Sequence, residues 1–233
     1  MWHLLKSLFS HKENPPHKIG SWVFDETIAS RFTDEAEKHI PHYWKVITLS
    51  ALVIKTTFGR NAKILDVGCA TGNTLVYFVS QGFEQLFGCD SSAAMLTKAR
   101  QCLPQNHVVL VESAFFPTNV PLFEVVMCNW TMHFIEEREQ YLQAIFKGLV
   151  SGGLLIMTEK TEQSDAIKSL YHDFKLQQGL TVEQIAQKEQ HLKGILVPYS
   201  LEQNIALLKD TGFIKIEILD ASLGFVTFLA WKP

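Results

Sequence analysis

The feature that most constrains the fold is a short apolar run that ends in a turn of small residues. Residues 63–72 read Lys-Ile-Leu-Asp-Val-Gly-Cys-Ala-Thr-Gly, a pattern that predicts a buried strand, a turn and the start of a helix. Asp66 lies at the carboxyl end of the strand, and Gly68, Ala70 and Gly72 leave little side-chain bulk at the turn. In a doubly wound sheet, such a turn borders a crevice where backbone N–H groups and a helix N-terminus face a ligand. The segment therefore predicts a ligand site at the first strand-to-helix turn.

A second acid indicates what this ligand is. Asp90 follows the strand-like run 85–89, and an acid after the second strand can accept hydrogen bonds from two ribose hydroxyls. The turn reads Asp-x-Gly-x-Ala-x-Gly and lacks the Gly-x-Gly-x-x-Gly order of dinucleotide sites. Because an acid at this position would repel a phosphate, the pattern favours a nucleoside with a positively charged tail.

The rest of the chain alternates predicted strands and helices, which is typical of a parallel sheet with crossover helices. We expect helices within 22–58, interrupted near Pro41, and at 73–80, 92–102, 136–150 and 200–208, with strands at 63–67, 85–89, 107–111, 123–128, 154–159, 213–219 and 225–231. The prediction is an α/β, doubly wound, Rossmann-like sheet, mostly parallel with an antiparallel C-terminal strand. The N-terminal helices and a helical insertion at about 163–198 cover it. Residues 1–19 are predicted to be an N-terminal extension of a single domain, 20–233.

Composition excludes several classes of function. A net charge of −3 gives no basic surface for nucleic acid, so we expect a small-molecule substrate and no direct nucleic-acid binding. The sequence contains no run of eighteen apolar residues, so it predicts no membrane span. The four cysteines have no paired spacing, which favours reduced thiols in a cytoplasmic protein, and the nine histidines form no metal-binding motif, so no metal is expected.

The turn at 64–72 and the acid Asp90 resemble motif I and the following acid of the class I S-adenosylmethionine-dependent methyltransferases. Segments 22–26 with 40–43, 129–134, and 159–160 with 171–175 resemble one subgroup, the carboxy-S-adenosylmethionine synthases, which supply a cofactor for transfer-RNA wobble uridine modification. The resemblance runs nearly from end to end and implies S-adenosylmethionine as cofactor. It implies that the cofactor is surrounded by Tyr43, Gly68, Cys69, Ala70, Asp90, Ser91, Ser113, Ala114 and Asn129, to which the turn itself adds Asp66 and Gly72.

The chain departs from the subgroup at two positions. Ser113 stands where the subgroup has an Asp that meets the adenine amine, and a hydroxyl can accept that bond without charge. Glu189 stands where the subgroup has an arginine that holds the extra carboxylate of the carboxylated cofactor. A guanidinium fork binds a carboxylate through two charge-assisted bonds, whereas a glutamate repels it. Lys160, Lys188 or Lys193 could supply a positive charge in place of the arginine. A lysine cannot, however, form the two parallel hydrogen bonds of a guanidinium.

We therefore expect a methyltransferase that acts on a small molecule. Methyl transfer requires alignment and exclusion of water, so a general base is optional. His133 is the first candidate for a base, because it follows the strand end at Asn129 and imidazole titrates near neutral pH; packing against the next helix is the alternative. Tyr43, Tyr171 and His172 are candidates for the acceptor side, with packing again the alternative.

Two other functions stay open at the level of the sequence. The first is retained synthase chemistry, in which the methyl carbon of the cofactor acquires a carboxylate from prephenate. The second is a cofactor-binding subunit without catalysis, with a homodimer through the helical insertion as a candidate assembly.

Overall fold

The computed structural model describes residues 24–104 and 107–233, so the predicted extension at 1–19 lies outside the described residues. The helices are α1 (Glu26–His39), α2 (Tyr43–Thr57), α3 (Asn73–Ser80), α4 (Ala93–Cys102), α5 (Arg138–Gly148), α6 (Asp165–Gln177), α7 (Val182–Leu192) and α8 (Leu201–Thr211), with a 3₁₀ turn at Met132–Phe134. The strands are β1 (Lys63–Val67), β2 (Gln85–Asp90), β3 (Val108–Glu112), β4 (Phe123–Asn129), β5 (Leu149–Lys160), β6 (Ile214–Ser222) and β7 (Phe225–Trp231).

The strands form one seven-stranded sheet in the order β3-β2-β1-β4-β5-β7-β6. The first five pair in parallel, and β7 is antiparallel to both β5 and β6. The chain runs outward from β1 to β3 on one side and resumes at β4 on the other. Ligands bind at such a reversal, outside the carboxyl ends of the strands. The predicted α/β fold with its antiparallel C-terminal strand is confirmed.

Apolar sequence explains why β1 and β4 lie at the centre of the sheet. Four of the five residues of β1 and six of the seven of β4 are buried. A parallel strand covered by helices on both faces needs a continuous apolar run, and both segments supply one. The two strands end at Val67 and Asn129, and they deliver the following residues to the same edge of the sheet.

The predicted boundary between the helix at 136–150 and the next strand is wrong. The helix α5 ends at Gly148, and β5 begins at once, with an irregular pairing that takes its partner from Leu149 to Leu154. The ammonium of Lys232 donates to the carbonyls of Phe146 (2.8 Å) and Leu149 (2.6 Å). This distant residue satisfies carbonyls at the helix end, which local sequence could not reveal.

The helical insertion predicted at about 163–198 consists of two helices, α6 and α7. The break falls before Thr181, whose hydroxyl accepts from the backbone N–H of Gln184 while the Gln184 side chain accepts from the backbone N–H of Thr181. This capping box starts α7 as a separate helix. Among the residues of 24–104 and 107–233, no helix has the length and apolar character needed to cross a bilayer.

Candidate active site

A cavity of about 780 Å³ lies at the carboxyl ends of β1, β2 and β4, beneath α1, α6 and α7. This volume is in the upper part of the range for small-molecule sites. Of the acceptor-side candidates, Tyr43 and Tyr171 line it and His172 does not. Every predicted cofactor residue except Gly72 lines it, and so does the predicted base: Tyr43, Asp66, Gly68, Cys69, Ala70, Asp90, Ser91, Ser113, Ala114, Asn129 and His133. The cavity thus brings the predicted cofactor residues and the predicted base into one space.

The first turn is built by backbone geometry. Gly68 has φ +70°, and a Cβ at this position would lie 2.3 Å from Thr131 Oγ1, so only glycine fits. Gly72 has φ +82°, and its Cβ would lie 3.0 Å from Leu103 and 3.3 Å from Ala99, which are packed on the neighbouring helix. Glycine at Gly72 therefore allows close packing against Ala99 of α4 and against Leu103, which directly follows α4.

Asp66 is a buried carboxyl at the cavity wall. It is 4% exposed, and no described residue donates a hydrogen bond to its side chain. Burial, followed by the nearby charge of Asp90, raises the pKa of Asp66 from 3.8 to about 8. A cation bound in the cavity would favour the ionised form, so this acid suits the positively charged ligand predicted for the turn.

Asp90 is held in place by the backbone. Its Oδ2 accepts from the N–H of Ala70 at 2.9 Å, and its Oδ1 accepts from the N–H of Ser92 at 2.8 Å. Burial raises the pKa of Asp90, and these backbone hydrogen bonds oppose the rise. Each carboxylate oxygen keeps a lone pair that a ribose hydroxyl can use.

Replacing Asp90 with Ala should weaken binding of the nucleoside cofactor by about 1–3 kcal/mol, because the ribose hydroxyls lose a charged acceptor. Asp90→Asn keeps one acceptor oxygen for the turn and should lose less. Isothermal titration calorimetry measures both affinities, and the exposed Asp210→Asn is a control that should bind like the wild type. Equal affinity in all variants would mean that the acid is wrongly assigned.

Two buried donors lie unpaired on the wall of the cavity. The Oδ1 of Asn129 accepts from Thr158 Oγ1 at 2.7 Å, but its Nδ2 has no partner among the described residues. The indole N–H of Trp130 is likewise buried and unpartnered there, and Trp130 has φ +56°. Buried donors are normally paired, so these two indicate a ligand with oxygen or nitrogen acceptors.

On the cofactor side, the hydroxyls of Tyr43 and Ser113 have hydrogen-bond partners within the protein. The hydroxyl of Tyr43 accepts from Asn73 Nδ2 at 2.9 Å, and its ring packs on Trp130 with centroids 4.9 Å apart. Burial raises the pKa of Tyr43, so the phenol stays protonated and these contacts favour a positioning role over proton transfer. Burial also raises the pKa of the Cys69 thiol, which favours the lining role over a nucleophile. The Ser113 hydroxyl accepts from the N–H of Phe115 at 3.1 Å and keeps its own O–H.

His133 and Glu159 form a buried pair at the cavity. The exposed fractions of the two side chains are 4% and 2%, and His133 Nδ1 lies 2.9 Å from Glu159 Oε2. The other oxygen of Glu159 accepts from the N–H of Met132 at 3.0 Å, which fixes the carboxylate. No described residue is bonded to the other ring nitrogen, Nε2. In the tautomer that donates from Nδ1 to Glu159, Nε2 would be an acceptor.

Sequence reasoning named His133 but missed its partner. Glu159 lies at the end of β5, 26 residues away, and the parallel pairing of β4 with β5 brings it beneath the 3₁₀ turn. A glutamate at the end of an apolar strand was the available signal, since a buried carboxylate needs a partner.

Glu189 is contacted by two side chains of α6, Lys175 and His172. It accepts from Lys175 Nζ at 2.9 Å, and it lies 2.6 Å from His172 Nε2. Burial alone would raise the pKa of Glu189, but the hydrogen bonds and charges of Lys175 and His172 outweigh burial and lower it. Glu189 should therefore repel the extra carboxylate of the carboxylated cofactor less strongly than a carboxylate without these neighbours would. Lys175 itself is already paired with Glu189.

A second ion pair joins the two covering helices. Lys188 Nζ on α7 lies 2.8 Å from Glu35 Oε2 on α1, and His39 Nε2 lies 3.4 Å from the same oxygen. The hydrogen bond to His39 and the charge of Lys188 hold the pKa of Glu35 well below its usual range despite burial. Of the three lysines considered as replacements for the arginine, Lys188 is thus paired with Glu35. Lys193 does not line the cavity, whereas Lys160 does.

Comparison with known proteins gives a consistent result. Residues 65–157 match the model of a family described as a methyltransferase domain. A carboxy-S-adenosyl-L-methionine synthase of Campylobacter jejuni subsp. doylei is 34% identical over 234 residues, which cover 95% of this chain and 97% of the relative. A protein of the same name from Nautilia profundicola is 32% identical over 219 residues, covering 90% of this chain and 94% of the relative.

Solved structures show the same fold at low identity. The plantazolicin methyltransferase BpumL in complex with SAH superimposes with a TM-score of 0.66 at 16% identity, covering 99% of this chain and 94% of that chain. The [4+2]-cyclase SpnF superimposes with a TM-score of 0.59 at 18% identity, covering 80% of each chain. Because a methyltransferase and a cyclase share this architecture, the site and not the fold must identify the reaction.

Proposed function

We propose that this chain, which belongs to the carboxy-S-adenosyl-L-methionine synthase family of S-adenosylmethionine-dependent transferases, methylates a small molecule. The observation that carries the proposal is the buried His133–Glu159 pair in the same cavity as the cofactor turn. An oriented imidazole with a free ring nitrogen can take the proton of a hydroxyl or amine acceptor. Carboxyl transfer to the cofactor, by contrast, would use a cation where this chain has Glu189.

The residues of the cavity fit S-adenosylmethionine. Asp66 and Asp90 suit a cationic nucleoside, and the unpaired donors of Asn129 and Trp130 suit its oxygen and nitrogen acceptors. When bound, the cofactor supplies an electrophilic methyl group on a sulfonium. The Tyr43 ring against Trp130 gives the cavity an apolar wall on this side.

The chain's own residues would then prepare the acceptor. Glu159 orients the imidazole of His133, and His133 Nε2 would accept the proton that the hydroxyl or amine of the acceptor loses when the methyl group leaves sulfur and S-adenosylhomocysteine remains. The carboxylate of Glu159 would also stabilise the imidazolium that forms when His133 takes this proton. The ion pair of Lys188 and Glu35 joins the covering helices α1 and α7 over the cavity, where they would limit the access of water to the reacting atoms.

Carboxylated-cofactor synthesis is the second candidate function. Identity of 34% over 97% of the Campylobacter relative favours it, and so does Lys160, a cation on the cavity wall. Glu189 argues against this function. Its neighbours Lys175 and His172 offset its charge, but they do not supply the two parallel hydrogen bonds that an arginine guanidinium gives a carboxylate. The third possibility from the sequence is a subunit that binds the cofactor without catalysis. Such a subunit would form no product, whereas both enzymes would.

Two measurements test the proposal together. We expect S-adenosylmethionine to bind more tightly than the carboxylated cofactor, because Glu189 replaces the arginine fork, and Glu189→Arg should narrow or reverse this preference. We also expect S-adenosylhomocysteine to form when the protein meets a fractionated metabolite pool. Tighter binding of the carboxylated form by the wild type would favour the synthase, and absence of any product would favour the non-catalytic subunit.

The proposal also covers where the protein acts and what it binds. We propose a cytoplasmic enzyme that takes a small-molecule substrate, binds no nucleic acid directly and uses no metal. Among residues 24–104 and 107–233, no three His, Cys, Asp or Glu side chains are grouped as metal ligands. A homodimer through α6 and α7 stays a prediction, which analytical ultracentrifugation tests.

A further inference from the structure

We propose that Asn73 is a positioning residue for the cofactor, because it directs the O–H of Tyr43 to the carboxylate at the amino-acid end of S-adenosylmethionine. This deepens the proposed function and rests on its cofactor, but not on the substrate that is methylated. Three observations carry it: the hydrogen bonds of Asn73, the proton that Tyr43 keeps for a ligand, and the acid Asp66 close to Tyr43.

Asn73 connects three helices at the wall of the cavity. It is the first residue of α3 and lines the cavity. Its Oδ1 accepts from Thr33 Oγ1 of α1 at 3.0 Å and from Thr71 Oγ1 at 3.4 Å. Its Nδ2 donates to the hydroxyl of Tyr43, the first residue of α2, at 2.9 Å. The two threonines use both lone pairs of the amide oxygen, so Tyr43 meets the amide nitrogen, which can only donate.

The donor role of Asn73 leaves the proton of Tyr43 for a ligand. The phenol oxygen accepts the amide N–H, and no described residue accepts the phenol O–H in return. Tyr43 is 6% exposed and lines the cavity, and a buried donor is normally paired. A hydroxyl that accepts a hydrogen bond is also a stronger donor, because linked hydrogen bonds polarise each other. The Tyr43 O–H is therefore a donor prepared for an acceptor on the cofactor.

The neighbouring acid indicates which group of the cofactor accepts this bond. Burial raises the pKa of Tyr43, the hydrogen bond from Asn73 opposes the rise, and the charge of Asp66 adds to it, so Asp66 and Tyr43 lie within electrostatic range of each other. The amino-acid end of the cofactor carries an ammonium and a carboxylate on one carbon. Asp66 suits the ammonium, whereas the carboxylate needs a donor, which protonated Tyr43 supplies.

Asn73→Asp tests this assignment, because aspartate has the shape of asparagine but can only accept. It should draw the Tyr43 O–H onto itself, so binding of S-adenosylhomocysteine should weaken by about 10- to 100-fold, as for the loss of a hydrogen bond to a charged group. Methylthioadenosine, a nucleoside thioether without the amino-acid end, should bind as it does to the wild type. Calorimetry measures both affinities. Asn61→Asp adds the same charge at an exposed residue before β1 and is the control.

Tyr43→Phe completes a double-mutant cycle that separates this effect from the added charge. Alone, Tyr43→Phe should cause the same selective loss of S-adenosylhomocysteine binding. Added to it, Asn73→Asp should weaken binding no further, whereas direct repulsion between the new acid and the ligand would persist. Asn73→Asp should keep a native melting temperature, because an acid in the first turn of a helix is favourable.

Three results would overturn the proposal. In the first, Asn73→Asp or Tyr43→Phe binds S-adenosylhomocysteine as tightly as the wild type. In the second, either substitution weakens binding of methylthioadenosine equally. In the third, Asn73→Asp has the same effect with and without the Tyr43 hydroxyl. Failure of the proposed function would appear separately, as absence of S-adenosylhomocysteine formation while this pattern of binding is intact.

Discussion

Replacing His133 with Gln is expected to lower kcat for methyl transfer by about 10²- to 10⁴-fold, the usual contribution of a general base. The imidazole is the buried group whose free nitrogen faces no described partner, and an amide at the same place cannot take a proton near neutral pH. Affinity for the cofactor should not change, because the cofactor-side contacts of Asp66 and Asp90 are untouched. Rates of S-adenosylhomocysteine formation and calorimetry measure the two quantities.

Matched variants separate catalysis from structure. Glu159→Gln keeps the shape of the positioning residue but loses the charge that stabilises the imidazolium, so kcat should fall and the pH–rate profile should shift, with smaller changes in KM. His107→Gln is the control, since this histidine is exposed and does not line the cavity. If His133→Gln turns over at the wild-type rate with a native melting temperature, His133 is a packing residue.

Binding of S-adenosylmethionine should strengthen with pH, by up to tenfold per unit, until about pH 8. The pKa of Asp66 is raised to about 8 by burial and by Asp90, so below this pH the empty site holds a protonated acid. A cationic ligand favours the ionised acid, and binding therefore releases a proton. Calorimetry in buffers of different ionisation enthalpy counts that proton, and Asp66→Asn should flatten the dependence.

The same residue predicts the pH dependence of stability without ligand. A carboxyl with a raised pKa keeps its proton in the folded state, so its contribution to stability is full below pH 3.8 and declines as pH rises toward 8. Asp66→Asn should therefore show a smaller decline of the melting temperature across this interval. Equal pH profiles in both proteins, for stability and for binding, would show that Asp66 does not titrate as proposed.

Much of the fold could be predicted from patterns within short segments of the sequence. The strand at 63–67 and the helix at 73–80 were predicted with the boundaries that the structure shows, because an apolar run and a small-residue turn are encoded in consecutive residues. The turn and the second acid indicated part of the cofactor side, and the resemblance to a known family implied the other residues; all of them except Gly72 line the cavity. The helix end at Gly148 was mispredicted because Lys232, at the other end of the chain, satisfies its carbonyls.

The acceptor side shows the opposite case. Reading Glu189 as a repulsive charge was reasonable from one position, but Lys175 and His172 on a different helix compensate it. Their spacing in the chain, 14 and 17 residues, has no local signature. The charge that a ligand meets therefore depends on how α6 packs against α7.

The sequence by itself determined the sheet, the first turn and the class of cofactor, because each rests on period, residue size or charge within a few consecutive positions. Only the tertiary structure decided that His133 is held by Glu159 and that Asn73 donates to the hydroxyl of Tyr43. Side chains from separate strands and helices meet through packing, and packing reflects the whole apolar core rather than any one segment. The reaction chemistry of this chain accordingly lies in contacts between segments distant in the sequence.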